Sequence, residues 1–276
     1  MMPLPAPSRR AVISGVIALA VSPRLALSQA RDDDLQLVRI PGGDFVMGDR
    51  DGEADEAPRP VGVGRFRIMR FEVTNRQFRR FVAVTGYVTD PERAGHGHVW
   101  TDRWRAVDGA DWRHPTGPRS SLAGLNDHPV VQVSANDAAA FARHYRLRLP
   151  SEEEWEFAAR GQDGRRYPWG DAPPEEGDLR RANFGTLECC APSPRDGFAR
   201  TAPVGRFAAG VSPFGLHDMA GNVWEWTSSR FPGAPDDVVI RGGGWGNDAY
   251  CLRVAYRHGN PPDIGLDMVG FRCAGD

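Results

Sequence analysis

Asp218-Met219-Ala220-Gly221-Asn222-Val223-Trp224-Glu225-Trp226 is the most informative stretch of the sequence, because it places two carboxylates on either side of a glycine. A hard cation such as calcium needs several oxygen ligands at once, from carboxylates and from backbone carbonyls. A glycine lets the chain wrap tightly enough to offer both kinds. The stretch therefore predicts an ion-binding loop, although such a pattern alone is more often a turn with solvated carboxylates.

A second set of oxygen ligands lies upstream of this loop. Asn183-Phe184 and Asp196-Gly197-Phe198 offer two side-chain oxygens, and the adjacent residues contribute carbonyls. The two segments predict a second ion site of the same kind.

Composition limits the possible fold and partners. The 276 residues suit one domain with its own core, and 32 Gly, 23 Pro and 8 Trp predict many turns and loops held by aromatic packing. The formal net charge is -2, with acidic and basic residues interspersed. Because the sequence has no basic stripe and no polybasic patch, it indicates neither nucleic-acid binding nor electrostatic membrane binding.

The N-terminus has the pattern of an export signal. Paired arginines, Arg9 and Arg10, precede a modest apolar segment, and small residues around Ala30 suit a cleavage site. Pro23 and Arg24 interrupt the apolar run, which is too short to span a bilayer. We predict that residues 1–30 are a twin-arginine signal peptide and that residues 31–276 form the mature domain, in the periplasm or outside the cell. The alternative is a disordered basic tail.

Periodicity predicts strands at residues 35–40 and 66–69, where apolar and polar side chains alternate. Helices are predicted to follow Thr74, Ser134 and Ser151, which are good N-caps; the first and third begin capping boxes. The segments 84–128 and 161–220 show no clear period. They are too long for simple connectors, so we expect them to carry function. The fold class is α+β.

From about residue 37 to its C-terminus the sequence resembles the formylglycine-generating enzyme (sulfatase-modifying factor) family. The matching stretches follow the family's order: residues 40–48, 72–75, 110–115, 127–131, 148–156, 201–205, 221–226, 241–243 and 270–273. The resemblance implies a compact fold related to C-type lectins, with little regular secondary structure and two bound calcium ions.

The resemblance also implies which residues bind calcium. One site would be formed by Asn183, Phe184, Asp196 and Phe198. The other would be formed by Asp218, Gly221, Val223 and Glu225, with Gly221 and Val223 contributing carbonyl oxygens.

Catalysis in the family implies a cysteine pair. Family enzymes use oxygen and a copper(I) ion, held by two thiolates five residues apart, to oxidise a substrate cysteine to formylglycine. Soft thiolates select copper(I). Here Cys251 matches the second cysteine, and Gly246 occupies the position of the first. One thiolate cannot reproduce the two-coordinate copper site, so family membership does not establish the family reaction.

Other residues at matching positions are candidates for the site. Catalytic roles are assigned to Cys251, Trp224, Tyr250 and Arg257, and substrate binding to Asn260, Asp263 and Trp245. Each has a plainer alternative: the aromatic residues as core side chains, Arg257 as a surface ion pair, and Cys251 as an inert buried thiol.

The other cysteines and the histidines leave alternatives open. Cys189 and Cys190 are adjacent and could bridge Cys251 or Cys273 in an oxidising compartment, or could clamp a metal. A structural disulfide is the favoured interpretation. His96, His98 and His114 lie in one long loop, where a metal site is possible but a His-x-His pattern is more often incidental.

Two functional hypotheses follow. In the first, the protein is an exported oxidoreductase that acts on a thiol or other substrate of a partner protein or secreted metabolite. In the second, it is a non-catalytic accessory module whose calcium-bound loops present a peptide-binding surface. In both, the expected form is a monomer without a membrane span.

Overall fold

A computed structural model of the protein describes Met1 and residues 35–186 and 190–276. The predicted signal segment, apart from Met1, and Cys189 lie outside the described residues. The elements described below belong to the unit Leu35–Asp276.

Short strands and four helices lie within residues 35–186 and 190–276. The strands are β1 Leu37–Ile40, β2 Gly43–Met47, β3 Arg59–Val63, β4 Phe66–Met69, β5 His96–Trp100, β6 Trp104–Asp108, β7 Glu175–Glu176, β8 Leu179–Arg180, β9 Trp224–Phe231, β10 Ala234–Arg241, β11 Arg257–Asn260, β12 Val269–Gly270 and β13 Ala274–Gly275. The helices are α1 Asn75–Thr85, α2 Asp90–Ala94, α3 Ala135–His144 and α4 Glu152–Arg160. Two short 3₁₀ helices span Ala54–Glu56 and Ala208–Gly210.

All four helices begin at capping boxes. The cap residues, each of which accepts a backbone N–H bond from the third residue of its helix, are Thr74, Thr89, Ser134 and Ser151. The three predicted helices are confirmed. Helix α2 was not predicted, because five residues are too few to show a helical period.

Two sheets organise the strands. One contains β1, β4 and β13, and the other is ordered β11-β10-β9-β12. Strand β4 covers the predicted residues 66–69, whereas β1 begins only at Leu37 because Gln36 adopts a left-handed backbone with φ of 46°. The pairs β2–β3, β5–β6 and β7–β8 form separate antiparallel hairpins.

The β9–β10 hairpin positions the loops that matter for function. Strand β9 begins at Trp224, so the predicted ion-binding loop leads directly into it. The segment after β10 carries Cys251 before β11 begins at Arg257. Two backbone bonds join these regions: Gly221 donates to the Gly242 carbonyl and Trp245 donates to the Asn222 carbonyl, each at 2.9 Å.

The core is largely aromatic. Phe78 stands edge-on to Trp112 and stacks on Phe141, with ring centroids 5.2 and 6.0 Å apart, and both contacts are buried. Aromatic packing thus joins α1, α3 and the loops between them, as the composition predicts. The longest helix in the described ranges has 11 residues, and none there has the length and hydropathy of a membrane-spanning helix.

Candidate functional site

A cavity of about 720 Å³ lies between the β9–β10–β11 sheet, the Cys251 loop and the β5–β6 hairpin. Its walls are mostly apolar and aromatic, and none of the described residues that line it is Asp, Glu, Lys or Arg. The lining residues are His98, Trp104, Cys190, Trp224, Ile240, Asn247, Cys251, Tyr256, His258, Asn260, Ile264, Leu266 and Val269.

Cys251 lies in this wall and carries a thiol. Its backbone N–H donates to the Asp248 carboxylate at 3.4 Å, and a side-chain hydrogen bond joins the Tyr256 hydroxyl to its sulfur. Burial, together with the neighbouring sulfur, raises the pKa of Tyr256. The hydroxyl therefore keeps its proton and can donate to a thiolate, the reactive form of a cysteine.

Cys190 contacts the loop at the position of the absent cysteine. A Cβ atom on Gly246 would lie 2.3 Å from the Cys190 carbonyl oxygen. The Cys190 sulfur is in a disulfide, whereas Cys251 and Cys273 carry thiols. The predicted bridge from Cys189 or Cys190 to Cys251 or Cys273 is therefore wrong, because the last two cysteines both carry thiols, although Cys190 is in a disulfide.

Two more of the predicted residues share the cavity with Cys251. The Trp224 indole N–H donates to Asn247 Oδ1 at 2.9 Å, so the ring is fixed as part of the wall. Asn260, at the end of β11, also lines the cavity. Two residues before it on the same strand, His258 has its pKa lowered by burial and is neutral at pH 7.

Tyr250 and Arg257 lie outside the wall described above. The Tyr250 ring is 37% exposed, and its hydroxyl donates to Glu53 at 2.7 Å. Arg257 donates to the buried Glu152 at 2.8 Å and to the Asp55 carbonyl at 3.0 Å. Arg257 therefore forms an ion pair, as its plainer alternative predicts, but the partner Glu152 is buried and not on the surface.

Trp245 and Asp263 also lie apart from the cavity lining. Trp245 is 1% exposed, donates its indole N–H to the Asp267 carbonyl at 3.2 Å, and is covered by the Arg200 guanidinium. Asp263 is exposed in a turn beyond β11. Of the seven candidates for catalysis and substrate binding, the structure thus brings Cys251, Trp224 and Asn260 together.

A buried ion pair, not predicted from the sequence, anchors the Cys251 loop. Arg253 donates to both carboxylate oxygens of Glu56, at 2.7 and 3.0 Å, and to Asp49 at 3.0 Å. Its guanidinium also lies 4.1 Å from the centroid of the Tyr250 ring. Arg253 and Glu56 are 1% and 2% exposed, so a desolvated pair holds the loop to the 3₁₀ helix Ala54–Glu56, which lies between β2 and β3.

The first proposed calcium site contains an unsatisfied oxygen. Asp196 accepts backbone N–H bonds from Phe184 and Phe198, at 2.9 and 3.0 Å, and burial raises its pKa. Asn183 Oδ1 is buried without a hydrogen-bond partner in the described ranges. Buried oxygens without partners are rare, and an amide oxygen near a carboxylate suits calcium. The described residues therefore fit this ion.

The second proposed site lies in a strongly acidic part of the core. Burial raises the pKa of Asp218 to about 6. Burial, and then the charges of Asp218 and Glu225, raise the pKa of Glu72, which the sequence did not suggest as a site residue. Arg272 binds both oxygens of Glu225, at 2.6 and 2.7 Å, and the Trp155 indole donates to one of them at 2.8 Å.

Three buried carboxyl groups thus share one buried guanidinium, and either bound protons or a divalent cation would offset the charge that Arg272 leaves. Within the part of the chain that the structure describes, however, no three His, Cys, Asp or Glu residues are arranged to hold a metal. Gly221 and Val223 lie in the turn between the two predicted acidic ligands, where Gly221 has a φ of 81°. Asp218 is the better-placed ligand here, because Glu225 is already fully bonded.

The three histidines of the long loop are separated. His98 lines the cavity, and its ring lies 5.8 Å from that of His96. His114 contacts Asp111 at 3.2 Å in a different turn.

Several cavity residues were missed from the sequence. Tyr256, His258 and Asn247 belong to no motif quoted above, and Trp104 comes from a distant hairpin. Asn247, Tyr256 and His258 could have been suspected only because they lie close to Cys251 in the sequence. Nothing in the sequence connects Trp104 with the Cys251 loop.

Comparison with known proteins identifies the relatives of this chain. A family model described as the sulfatase-modifying factor enzyme 1-like domain matches residues 23–276. The chain is 40% identical over 280 residues to the inactive C-alpha-formylglycine-generating enzyme 2 of Mus musculus, and this alignment covers 91% of this chain and 89% of the relative. It is also 40% identical over 280 residues to the formylglycine-generating enzyme of Streptomyces coelicolor, and that alignment covers 87% of this chain and 88% of the relative.

Solved structures agree on the fold. PvdO from Pseudomonas aeruginosa superposes with a TM-score of 0.67 at 27% identity, over 87% of this chain and 94% of that protein. CarF superposes with a TM-score of 0.57 at 24% identity, over 87% of this chain and 98% of that protein. The similarity to CarF concerns the fold alone. Together, the two structures confirm the predicted α+β architecture with little regular secondary structure.

Proposed function

The chain belongs to the sulfatase-modifying factor (formylglycine-generating enzyme) family, and from this premise we propose that it is an exported oxidoreductase. Its substrate is a thiol or other oxidisable group of a partner protein or secreted metabolite, and it acts as a monomer. The observation that carries the proposal is the Cys251 thiol, which lies in the wall of an apolar cavity and is hydrogen-bonded to Tyr256.

The cavity supports binding of a substrate next to Cys251. Ligand sites are usually concave and mainly apolar, with a few polar groups that orient the ligand. Here Asn260, His258 and Asn247 are such groups, among Trp224 and aliphatic side chains. Because transfer of a charge into apolar surroundings is unfavourable, the substrate part that enters the cavity is uncharged.

Copper(I) held by two thiolates does not fit these residues. Gly246 offers no sulfur, and Cys190, which contacts it, is in a disulfide. We therefore assign no step to copper. The role of Cys251 is that of a nucleophilic sulfur, activated by the Tyr256 hydroxyl, that meets the substrate in the cavity.

Calcium and export complete the proposal. Asn183 Oδ1, Asp196 and the Phe184 and Phe198 carbonyls would hold one ion, and Asp218 with its loop carbonyls would contribute to a second. Bound there, calcium would fix the loops that precede β9 and thereby the Trp224 wall. Residues 1–30 would direct the folded protein through the twin-arginine route.

The second candidate is a calcium-binding accessory module without chemistry. It is favoured by the glycine at position 246, and the similarity to a relative whose name describes it as inactive supports it. On this hypothesis the same cavity holds a peptide or metabolite without altering it.

Turnover separates the two candidates. Purified, calcium-loaded protein is incubated with oxygen and a cysteine-containing peptide or a neutral small thiol, and substrate mass and oxygen uptake are followed. We expect oxidation that is lost in Cys251→Ser and kept in Cys273→Ser, whose thiol is fully buried elsewhere. Substrate binding without a mass change in any variant would favour the accessory module.

A further inference from the structure

Two cysteines in different oxidation states line one cavity. Cys190 is in a disulfide, Cys251 carries a thiol, and both contribute to the same wall and the same buried apolar cluster. Thiol–disulfide exchange requires a thiolate to reach one sulfur of a disulfide. Both cysteines line one cavity, which is where such an attack would take place.

The loop of Cys251 is pressed against the segment of Cys190. The Gly246 main chain is so close that a Cβ atom there would lie 2.3 Å from the Cys190 carbonyl oxygen and 2.8 Å from its Cα. Beside this contact, the Gly185 N–H donates to the Asn247 carbonyl at 2.7 Å. The segment of Cys190 therefore fills the space into which a side chain at position 246 would project.

The same loop closes on Cys251. A Cβ atom on Gly243 would lie 2.8 Å from the Cys251 carbonyl oxygen, and the Cys251 N–H donates to Asp248 within the loop. The contact at Gly246 and the sulfur at Cys251 thus belong to one compact turn. This turn presents Cys251 to the cavity wall that includes Cys190.

We propose that Cys190 is the redox partner of Cys251 and supplies the second sulfur that residue 246 lacks. In the exchange step the Cys251 thiolate attacks the Cys190 sulfur, and a Cys190–Cys251 bond forms. The original bond of Cys190 breaks, and its other cysteine leaves as a thiolate that takes a proton. One disulfide and one thiol are present before and after, so no outside oxidant is needed.

The new bond prepares the cavity for a thiol substrate. A neutral substrate thiol enters and gives up its proton, and its sulfur attacks the Cys190–Cys251 bond; a mixed disulfide forms with one cysteine, and the other leaves as a thiolate that takes up the proton. The number of disulfides is again conserved. The inference rests on the proposed function only for a substrate thiol, because the exchange step itself involves this chain alone.

The groups that control the step are Tyr256, Asp248 and the cavity histidines. Tyr256 is hydrogen-bonded to the attacking sulfur, Asp248 accepts the Cys251 N–H, and His98 and His258 line the same cavity. The charged groups nearest Tyr256 are Glu53 and Arg253. Only the thiolate attacks, so the rate rises about tenfold per pH unit while the thiol predominates.

The experiment maps disulfides in the full-length mature protein. Protein purified and held at pH 4.5 is moved to pH 8.5 under native, calcium-loaded conditions without added thiol. Samples are quenched with acid and N-ethylmaleimide over several hours and digested without reduction. We expect a peptide pair joined through Cys190 and Cys251 to appear, at least tenfold more slowly at pH 6.5 than at pH 8.5.

Two variants make the result specific. Cys251→Ser must lose the cross-linked pair, and Cys273→Ser must retain it, with both melting temperatures checked against the parent protein. The inference is overturned if Cys190 keeps its original partner at pH 8.5, or if the pair forms only in denaturant. A cross-link without substrate turnover would support the exchange and refute the proposed oxidation. Turnover without a cross-link would support the oxidation and refute the exchange.

Discussion

The Tyr256 hydroxyl is hydrogen-bonded to the Cys251 sulfur inside the cavity. A donor that stabilises the thiolate over the thiol makes the cysteine more nucleophilic at neutral pH. Tyr256→Phe should therefore slow alkylation of Cys251 by iodoacetamide at pH 7 by about tenfold, the effect of one charge-assisted hydrogen bond. Tyr250→Phe is the matched control, since its hydroxyl donates to Glu53. Equal slowing in both variants would refute the role of Tyr256.

The uncharged lining predicts selectivity between alkylating reagents. Iodoacetamide is neutral and iodoacetate carries a charge, which is disfavoured in apolar surroundings. At Cys251 of the folded protein, the rate with iodoacetamide divided by the rate with iodoacetate should be at least about fivefold larger than in the urea-unfolded protein, a difference of roughly 1 kcal/mol. Peptide mass spectrometry gives both ratios. The same ratio in folded and unfolded protein would show that charge is no barrier to entry.

Position 246 should tolerate no side chain. A Cβ atom there meets the Cys190 carbonyl at 2.3 Å, whereas one on Gly64 meets nothing within 4 Å. Gly246→Ala should lower the free energy of unfolding by about 2–3 kcal/mol through overpacking. Gly64→Ala should change it by no more than about 0.5 kcal/mol. Urea titrations measure both, and equal effects would contradict the packing of Cys190 against this loop.

Calcium should stabilise the protein through Asp196. Saturation at 100 times the dissociation constant would add about 2.7 kcal/mol. A chelator should lower the melting temperature of the parent protein, and the shift should shrink by more than half in Asp196→Asn. Asp263→Asn removes an exposed carboxylate that is distant from Asp196 in the sequence, so the chelator should lower its melting temperature as much as that of the parent protein. If the chelator leaves the parent's melting temperature unmoved, calcium has no structural role.

Asp267 should make stability depend on pH. Burial raises its pKa to about 6, and the Arg200 ion pair offsets only part of that shift. Since the folded state binds this proton more tightly than the unfolded chain, stability should fall as pH rises from about 4 to 6, by up to about 3 kcal/mol. Urea unfolding at pH 4 and pH 7 should show a smaller fall in Asp267→Asn. An identical fall in parent and variant would contradict the assignment.

Local sequence signals predicted the local structure well. The cap residues Thr74, Ser134 and Ser151 each begin a helix, because a hydroxyl that satisfies free N–H groups acts within three or four residues. Cys251, Trp224 and Asn260 share a cavity because the β9–β10 hairpin brings the start of β9 to the end of β10, and β11 pairs with β10.

Long-range contacts account for what the sequence could not predict. Arg257 reaches Glu152, 105 residues away, and Arg253 reaches Glu56, 197 residues away. Neither partner has a pattern that marks it as buried. The contact between Cys190 and Gly246 depends on how two irregular segments cross, and no periodicity or spacing encodes such a crossing.

The central claim is that Cys251 is a nucleophilic sulfur open to a thiol substrate in the cavity. A neutral cysteine-containing peptide, activated as its mixed disulfide with thionitrobenzoate, tests it directly, because attack releases the coloured leaving group and leaves the peptide on the protein. We predict one equivalent of release and a peptide adduct mapped to Cys251, with Cys251→Ser losing both. No capture by the folded parent protein, or equal capture by Cys251→Ser, would contradict the claim.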